Sequence, residues 1–305
     1  MLKMIKWILG LCLFINTLQA KSARSIILDS PSYIGGAGLF HNFNIVLGVL
    51  DLYDMQDHLA LTIDLGVNGL YYEETYGSNW WSYYFKTLHY PFKKEHLNKK
   101  FLVKKFSDAE KGYIGNKAHF FMDRVRAHGL IEKYIHVKSE ILDEVEKFYE
   151  TFLKGYEILG VHYRSTDKWL EATPVSYQEV IEVIDNVIKS HPEKTYRLFV
   201  ATDEVTFLEV MKNRYDIYYT NAQRMDKYPI HYVSEQGYLK GKEALIDCLL
   251  LAKSDVLVRT NSNLSAVAAY FNPSMAVINL NTVNNQLYEQ LRVQGCLNEL
   301  NIKPK

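Results

Sequence analysis

The stretch EILGVHYRSTDK at residues 157–168 begins as an apolar strand and ends in a polar, charged turn. Downstream of it, apolar strand patterns alternate with helical patterns at regular intervals. Strands are predicted at 157–163, 196–202, 216–220, 256–259 and 275–279. Helices are predicted between them at 176–190, 205–213, 242–253 and 262–271. This alternation predicts an α/β fold with a doubly wound parallel sheet, covered on both faces, and a ligand outside the carboxyl ends of the strands.

The remainder of the chain is predicted to form a second α/β unit, joined to the first by a helix. Ile141, Val145, Phe148 and Phe152 recur at helical spacing and predict this helix over 139–153. The predicted organisation is an N-terminal domain at 21–138, a linking helix at 139–155 and a C-terminal domain at 156–305.

The first twenty residues are predicted to be a secretory signal peptide. Lys3 and Lys6 precede an apolar run at 7–15, and the small residue Ala20 stands at the exit. The run is short for a bilayer span of about 20 residues. An uncleaved signal anchor is the alternative, and it would be the protein's only attachment to a membrane. The protein is expected in the secretory pathway, either in the periplasm or outside the cell, or in the lumen of the endoplasmic reticulum or Golgi.

A glycine-rich turn follows a predicted strand at 25–28 and opens a helix that reaches Leu50. Gly35 and Gly36 in this turn would let backbone N–H groups approach an anion at the helix N-terminus. An ordinary strand-to-helix turn is the alternative interpretation.

The composition excludes some classes of protein. Lys and Arg together number 35, as do Asp and Glu, so the net charge is zero and nucleic-acid binding is not expected. Three cysteines are too few for a disulfide scaffold, and Cys248 is predicted to be a small buried thiol rather than the partner of Cys296. Aromatic residues make up 13% of the chain. Their densest block, at 79–85, could stack against sugar rings or form part of the core.

Three polar clusters follow predicted strands, each at a carboxyl end. They are His162 with Arg164, then Asp203, and then the turn 259–265 with Thr260, Ser262 and Asn263. Alternation along an extended strand places His162 and Arg164 on the same side, where the guanidinium of Arg164 can bind a phosphate. The third cluster opens a helix whose N–H groups favour anions. Together the clusters predict a site for a nucleotide diphosphate.

Structural roles are the alternative for each cluster, because Arg164 could pair with Asp167 and Ser262 could cap a helix. The sequence has no Asp-x-Asp pattern, which commonly holds a divalent metal on a sugar nucleotide, so no metal site is predicted. A departing diphosphate would then be stabilised by Arg164, by Lys168 and by helix N–H groups.

The motifs resemble those of a known superfamily. The segment at 162–168 resembles the His-x-Arg-Arg-Thr-Asp-Lys motif of α1,6-fucosyltransferases, which nodulation fucosyltransferases and protein O-fucosyltransferases share more loosely. Segments 201–204 and 247–265 resemble the second and third motifs of the same superfamily. The sequence departs from the pattern at Ser165, which replaces a second arginine, and at Leu264, which replaces a polar residue.

The resemblance implies a GT-B fold, in which two Rossmann-like domains face a cleft, and an inverting, metal-independent reaction with GDP-fucose as donor. Carried over by position, Arg164 would hold the β-phosphate, His162 and Asp203 would contact the guanine end, and Ser262 and Asn263 would contact the diphosphate beside Thr260. Glu171, three residues after Lys168, would be the catalytic base. Asp167 is the second candidate for the base, or the residue that orients Arg164 or Lys168.

The function implied is transfer of fucose to a hydroxyl of a glycan or glycoprotein, with the N-terminal domain on the acceptor side and no cofactor besides the donor substrate. Two alternatives remain open. One is a GT-B transferase that uses another nucleotide sugar, and the other is a non-catalytic relative that binds a glycan or a nucleotide.

Overall fold

The structure, a computed structural model, describes residues 23–29, 38–55, 59–67, 69–90, 99–105, 122–164, 175–226 and 236–281. The predicted signal peptide at 1–20, Gly35, Gly36, Asp167, Lys168 and Glu171 lie outside the described residues. Within the described part of the chain, no helix is both long enough and apolar enough to span a bilayer.

The N-terminal half is built on a four-stranded sheet. Its strands are β1 (Ala23–Asp29), β2 (Leu59–Asp64), β3 (His89–Tyr90) and β4 (Lys99–Lys105), in the order β3-β2-β1-β4. β1 is parallel to β2 and β4, and β3 is antiparallel to β2. Helix α1 (Leu39–Asp54) connects β1 to β2 and extends beyond its predicted end at Leu50. Helix α2 (Arg124–Tyr134) begins at Asp123, whose carboxylate accepts the N–H of Arg126 at 2.8 Å.

The C-terminal half is a five-stranded sheet with helices on both faces. Its strands are β5 (Glu157–Tyr163), β6 (Tyr196–Thr202), β7 (Ile217–Tyr218), β8 (Val256–Arg259) and β9 (Ala276–Asn279). They pair in the order β7-β6-β5-β8-β9, and every pairing is parallel. The helices after α2 are α3 (Ser139–Phe152), α4 (Tyr177–Ser190), α5 (Val205–Arg214), α6 (Gly237–Ala252) and α7 (Asn263–Phe271). The predicted doubly wound parallel sheet is confirmed.

Helix α3 leads from the N-terminal half into β5 and lies along α6. Ile141 and Val145 are buried as predicted, but Phe152 is 41% exposed, so the apolar face narrows towards the end of the helix. Two ion pairs of 2.6 Å join α3 to α6, Glu144 with Lys242 and Glu146 with Lys253.

Helix α6 begins at Gly237, whereas the sequence predicts a start at 242. The prediction was wrong because glycine disfavours helix on propensity alone. A Cβ on Gly237 would lie 2.9 Å from backbone atoms of the 71–72 segment, and one on Gly241 would lie 2.1 Å from the hydroxyl of Tyr84. These glycines therefore allow the first turns of α6 to approach the N-terminal half closely.

One continuous core runs through both halves. The rings of Phe43 in α1 and Phe271 in α7 have centroids 5.9 Å apart. The aromatic block at 79–85 belongs to this core, because five of its side chains are at most 2% exposed: Trp80, Trp81, Tyr83, Tyr84 and Phe85. Cys248 is a buried free thiol in the same core, as predicted. A second core covers the other face of the C-terminal sheet, against α4 and α5.

Candidate functional site

The first and third polar clusters meet at the carboxyl ends of β5 and β8. β5 lies between β6, the next strand along the chain, and β8, which comes later. In a parallel sheet, a crevice forms at the carboxyl ends of two neighbouring strands whose connections run to opposite sides. The N–H of Thr260 donates to the carbonyl of His162 at 3.0 Å, and the N–H of Arg164 donates to the hydroxyl oxygen of Thr260 at 2.9 Å. The structure thus fixes the Arg164 backbone against the turn that opens α7.

Arg164 also lies beside the second cluster and beside the N-terminal half. Its Nε is 3.9 Å from the Oδ2 of Asp203, which follows β6, and the two side chains are only 22% and 14% exposed. Burial raises the pKa of Tyr71, in the N-terminal half, to about 12, while the Leu39 N–H and the positive charge of Arg164 act to lower it. Arg164 is therefore a partly buried cation near an acidic side chain and near a tyrosine of the N-terminal half.

His162 lies one step inside the sheet from Arg164 and is 5% exposed. It is the residue of β5 that pairs with Arg259 of β8. His162 therefore lies near the carboxyl end of β5, and alternation places its side chain on the same side of the strand as that of Arg164.

Tyr71 links the N-terminal half to this crevice. Its hydroxyl accepts the N–H of Leu39, the first residue of α1, at 2.7 Å, and the side chain is 4% exposed. A Cβ on Gly38, the N-cap residue of α1, would lie 3.8 Å from the same hydroxyl. The sequence alone did not single out Tyr71 as a site residue. The signal that could have found it is its place on the segment that follows β2.

The start of α7 forms the far wall of the crevice. Ser262 is its N-cap residue, but the Ser262 hydroxyl makes no capping hydrogen bond to any residue that the structure describes. Asn263 accepts a hydrogen bond from the amide of Asn44 in α1, with 3.1 Å between Nδ2 and Oδ1. Asn263, predicted to contact the diphosphate, thus joins the two halves here. The first N–H groups of a helix such as α7, beside Ser262, favour an anion.

An asparagine network fixes the turn that precedes α7, and sequence reasoning missed two of its members. Asn279 donates from its Nδ2 to the Oδ1 of Asn261 at 2.7 Å, and the Oδ1 of Asn281 accepts the N–H of Asn261 at 2.5 Å. The N–H of Asn281 donates in turn to the Oδ1 of Asn279 at 3.3 Å. Asn279 and Asn281, at the end of β9, therefore fix the backbone of the turn that contains Thr260.

A second arginine adds positive charge at this edge. Arg259 ends β8 and is 7% exposed. Burial lowers its pKa to about 10, Tyr270 acts to raise it and Arg124 acts to lower it. The side chain therefore keeps its charge at neutral pH, and with the positive end of α7 it favours an anion here.

The loop at 219–226, which follows β7, contacts both Asp203 of the second cluster and the buried carboxylate of Asp247. The N–H of Met225 donates to the carbonyl of Asp203 at 2.8 Å. Thr220 donates from its hydroxyl to the Oδ1 of Asp247, in α6, at 2.6 Å. Burial raises the pKa of Asp247 to about 6, against the Thr220 hydrogen bond and the charge of Arg224.

In the part of the chain that the structure describes, no group of three or more His, Cys, Asp or Glu side chains could hold a metal ion. The cationic and helix-dipole groups at the crevice are suited to an anion of high charge, such as a diphosphate.

Comparison with known proteins agrees with the motifs. The model of the NodZ family, nodulation protein Z, matches residues 39–294. No curated protein sequence matches the chain.

Solved structures share the fold. Fucosyltransferase NodZ from Bradyrhizobium is similar with a TM-score of 0.53 and 18% identity, over 85% of this chain and 95% of its own. A NodZ α1,6-fucosyltransferase co-crystallised with GDP has a TM-score of 0.51 and 17% identity, over 85% of this chain and 95% of its own. Arabidopsis thaliana FUT1 in complex with GDP has a TM-score of 0.52 and 14% identity, over 87% of this chain and 72% of its own. The predicted GT-B-like α/β fold is confirmed.

Proposed function

The chain belongs to the NodZ family, and from that premise we propose that it is a fucosyltransferase that moves fucose from GDP-fucose to a hydroxyl of a glycan or glycoprotein acceptor. We further propose that transfer inverts the anomeric carbon and needs no metal ion. Family membership supports the activity, and the complexes of similar structures with GDP support the nucleotide.

The observation that carries the proposal is the junction of Arg164 with the turn that opens α7. Through Thr260, the arginine backbone and the helix N-terminus are held in one rigid unit at the carboxyl edge of the sheet. A cation and a helix N-terminus are both suited to the negative charge that builds up on a departing diphosphate. This pair can stabilise that charge in a crevice that a metal ion would occupy in many other transferases.

Inversion requires a base on the face of the sugar opposite the diphosphate, where it takes the proton of the acceptor hydroxyl as the new bond forms. We assign this role to Glu171, with Asp167 as the orienting partner of Arg164 or Lys168. The Glu171→Gln variant should keep GDP binding and lose transfer. Transfer at the wild-type rate would place the base elsewhere.

The nucleotide would lie along the crevice, with its guanine end towards His162 and Asp203 and its diphosphate towards Arg164 and Ser262. The N-terminal domain at 21–138 would supply the acceptor side, and Gly35 and Gly36 would face the leaving group. The secretory signal at 1–20 would place the enzyme in the secretory pathway.

The test is the Arg164→Ala variant, with Arg214→Ala as its matched control. Arg214 is a surface residue, 54% exposed, whose guanidinium pairs with Asp185 and lies over the ring of Tyr215. Loss of Arg164 should raise the barrier to fucose transfer by roughly 2.7–4 kcal/mol, by analogy with removal of one oxyanion-hole donor. Transfer and hydrolysis of GDP-fucose would be followed by release of GDP. A loss below about tenfold would mean that Arg164 is not at the phosphate.

The same measurements separate the alternatives. Thermal stabilisation by UDP and not by GDP would favour another nucleotide sugar. Tight GDP binding with no turnover of any donor would favour a non-catalytic relative. This alternative is tested because Ser165 replaces the second arginine of the motif.

A further inference from the structure

The turn at 74–76 is held rigidly against the buried aromatic block. The hydroxyl of Tyr83 lies 2.8 Å from the carbonyl oxygen of Glu73 and also contacts the carbonyl of Gly77, so one hydroxyl joins both ends of the turn. Gly77 has a φ of 101°, a conformation that side chains other than glycine rarely adopt. The turn therefore presents its last residue, Tyr76, in a fixed direction.

Tyr76 is stacked on one face and open on the other. Its ring lies 4.0 Å from the ring of Tyr238, with an interplanar angle of 14°, and the side chain is 49% exposed. Tyr238 covers one face, and the Tyr83 ring packs obliquely with its centroid 5.7 Å away, so we infer that the exposed area of Tyr76 is on the side away from Tyr238. The ammonium of Lys242 bonds to Glu144 at 2.6 Å, and Tyr238 and Tyr76 both act to raise its pKa, so this ion pair lies near the stacked rings.

The position of Tyr76 distinguishes it from other exposed aromatic residues. Of the aromatic side chains in the described ranges, Phe152 and Tyr156 are exposed to a similar extent, at 41% and 43%. Phe152 ends α3 and Tyr156 directly precedes β5, so both are near the amino edge of the C-terminal sheet, and the guanidinium of Arg197 covers the Tyr156 ring at 3.6 Å. Tyr76 instead lies against the start of α6, and a helix that crosses between parallel strands starts near their carboxyl edge.

A short series of contacts connects Tyr76 with the candidate donor site. Tyr238 is the second residue of α6, and its neighbour Gly237 packs against the backbone of Tyr71. Tyr71 in turn lies within reach of the charge of Arg164. The exposed ring is therefore on the same edge as the diphosphate groups, displaced towards the N-terminal half.

We propose that Tyr76, supported by Tyr238, is the subsite that binds a pyranose ring of the acceptor glycan by stacking. This inference rests on the proposed function, since it names the acceptor class of that reaction. The face of a tyrosine ring carries partial negative charge and attracts the C–H groups on one face of a pyranose. The apolar ring would hold that face, and Lys242 and Glu144 would reach the hydroxyl groups at its rim.

The experiment is an array of immobilised neutral and charged pyranose oligosaccharides, probed in excess GDP with four proteins: wild type, Tyr76→Ala, Tyr76→Phe and Tyr156→Ala. Wild type, Tyr76→Phe and Tyr156→Ala should bind the same glycans with similar Kd, because the Phe variant keeps the ring. Tyr76→Ala should bind them roughly tenfold more weakly or worse.

Three results would overturn the proposal: wild type that binds no pyranose, Tyr76→Ala that binds as wild type does, or Tyr76→Phe that binds as weakly as Tyr76→Ala. The thermal shift with GDP is measured on the same samples and should be equal in all four, because Tyr76 is outside the donor site. A selective loss of that shift in Tyr76→Ala would also count against the subsite. Glycan binding that depends on Tyr76, in a protein that GDP does not stabilise, would leave the subsite standing and remove the proposed function.

Discussion

Replacing Gly241 with alanine should destabilise the protein strongly, because this glycine allows α6 to contact the N-terminal half. A Cβ there would lie 2.1 Å from the hydroxyl and 2.3 Å from the Cζ of Tyr84, a side chain that is completely buried. The hydroxyl lies 3.1 Å from two carbonyl oxygens of α6, those of Gly237 and Tyr238. Displacing the ring costs about 1–3 kcal/mol for overpacking, and losing these hydrogen bonds adds about 1–3 kcal/mol. The free energy of unfolding should fall by about 2–6 kcal/mol in total.

Urea denaturation of the protein from Lys21 to Lys305 measures this change, with Gly129→Ala as the control. Gly129 is an exposed helical glycine with open space around its Cβ position, so alanine there should stabilise by about 0.5–1 kcal/mol. Adding Tyr84→Phe does not remove the contact with Cζ. The double variant should therefore be less stable than Tyr84→Phe alone. A Gly241→Ala protein within 0.5 kcal/mol of wild type, the usual range for surface changes, would refute the packing argument.

Two further predictions concern the site. Because burial raises the pKa of Asp247 to about 6, the folded protein takes up a proton before the unfolded chain does as the pH falls. Asp247→Asn should therefore stabilise the protein at pH 7 by about 3 kcal/mol, an advantage that shrinks between about pH 6 and pH 4; equal differences in urea denaturation at both ends of that range would contradict it. Thr260→Val should cost about 1–3 kcal/mol of stability and weaken GDP binding, because it leaves the Arg164 N–H without its acceptor. Isothermal calorimetry would measure the affinity, with the exposed Thr151→Val as control, and unchanged affinity would mean that the turn does not position the arginine.

The C-terminal half could be predicted from the sequence because its signals are local. Apolar strands of the right length alternate with amphipathic helices, and parallel topology then brings the polar turn after each strand to one edge. Arg164 and Thr260 are far apart in the chain, yet their contact follows from the neighbouring positions of β5 and β8. Errors occurred where packing overrode local preference, as at Gly237, where the close approach of another segment makes glycine necessary inside a helix.

The contribution of the N-terminal half could not be predicted in the same way. Tyr71 and Asn44 enter the site through single contacts with Leu39 and Asn263, and neither contact has a periodic signature in the sequence. An aromatic-rich segment predicts burial in general, but it does not show which tyrosine directs its hydroxyl at a helix N-terminus. Similarly, the asparagine network depends on the exact register of β9 beside β8.

In the proposed reaction, the groups that could be predicted from the sequence are those for the donor, and the groups that could not be predicted are those for the acceptor. The groups that would bind the diphosphate are of a kind common to many parallel sheets, a cation and a helix N-terminus at the switch point, so they can be recognised as a sequence motif. The Oδ2 of Asp203 lies 3.9 Å from the Nε of Arg164, so the second motif adjoins the first at the same edge of the sheet. Groups that would contact the acceptor must instead match a particular glycan. Tyr76 illustrates this, because its exposed ring depends on a turn, a glycine and a stacked partner from the other half. Specificity for the acceptor should therefore change through substitutions around Tyr76, while the motifs that would bind the donor stay constant.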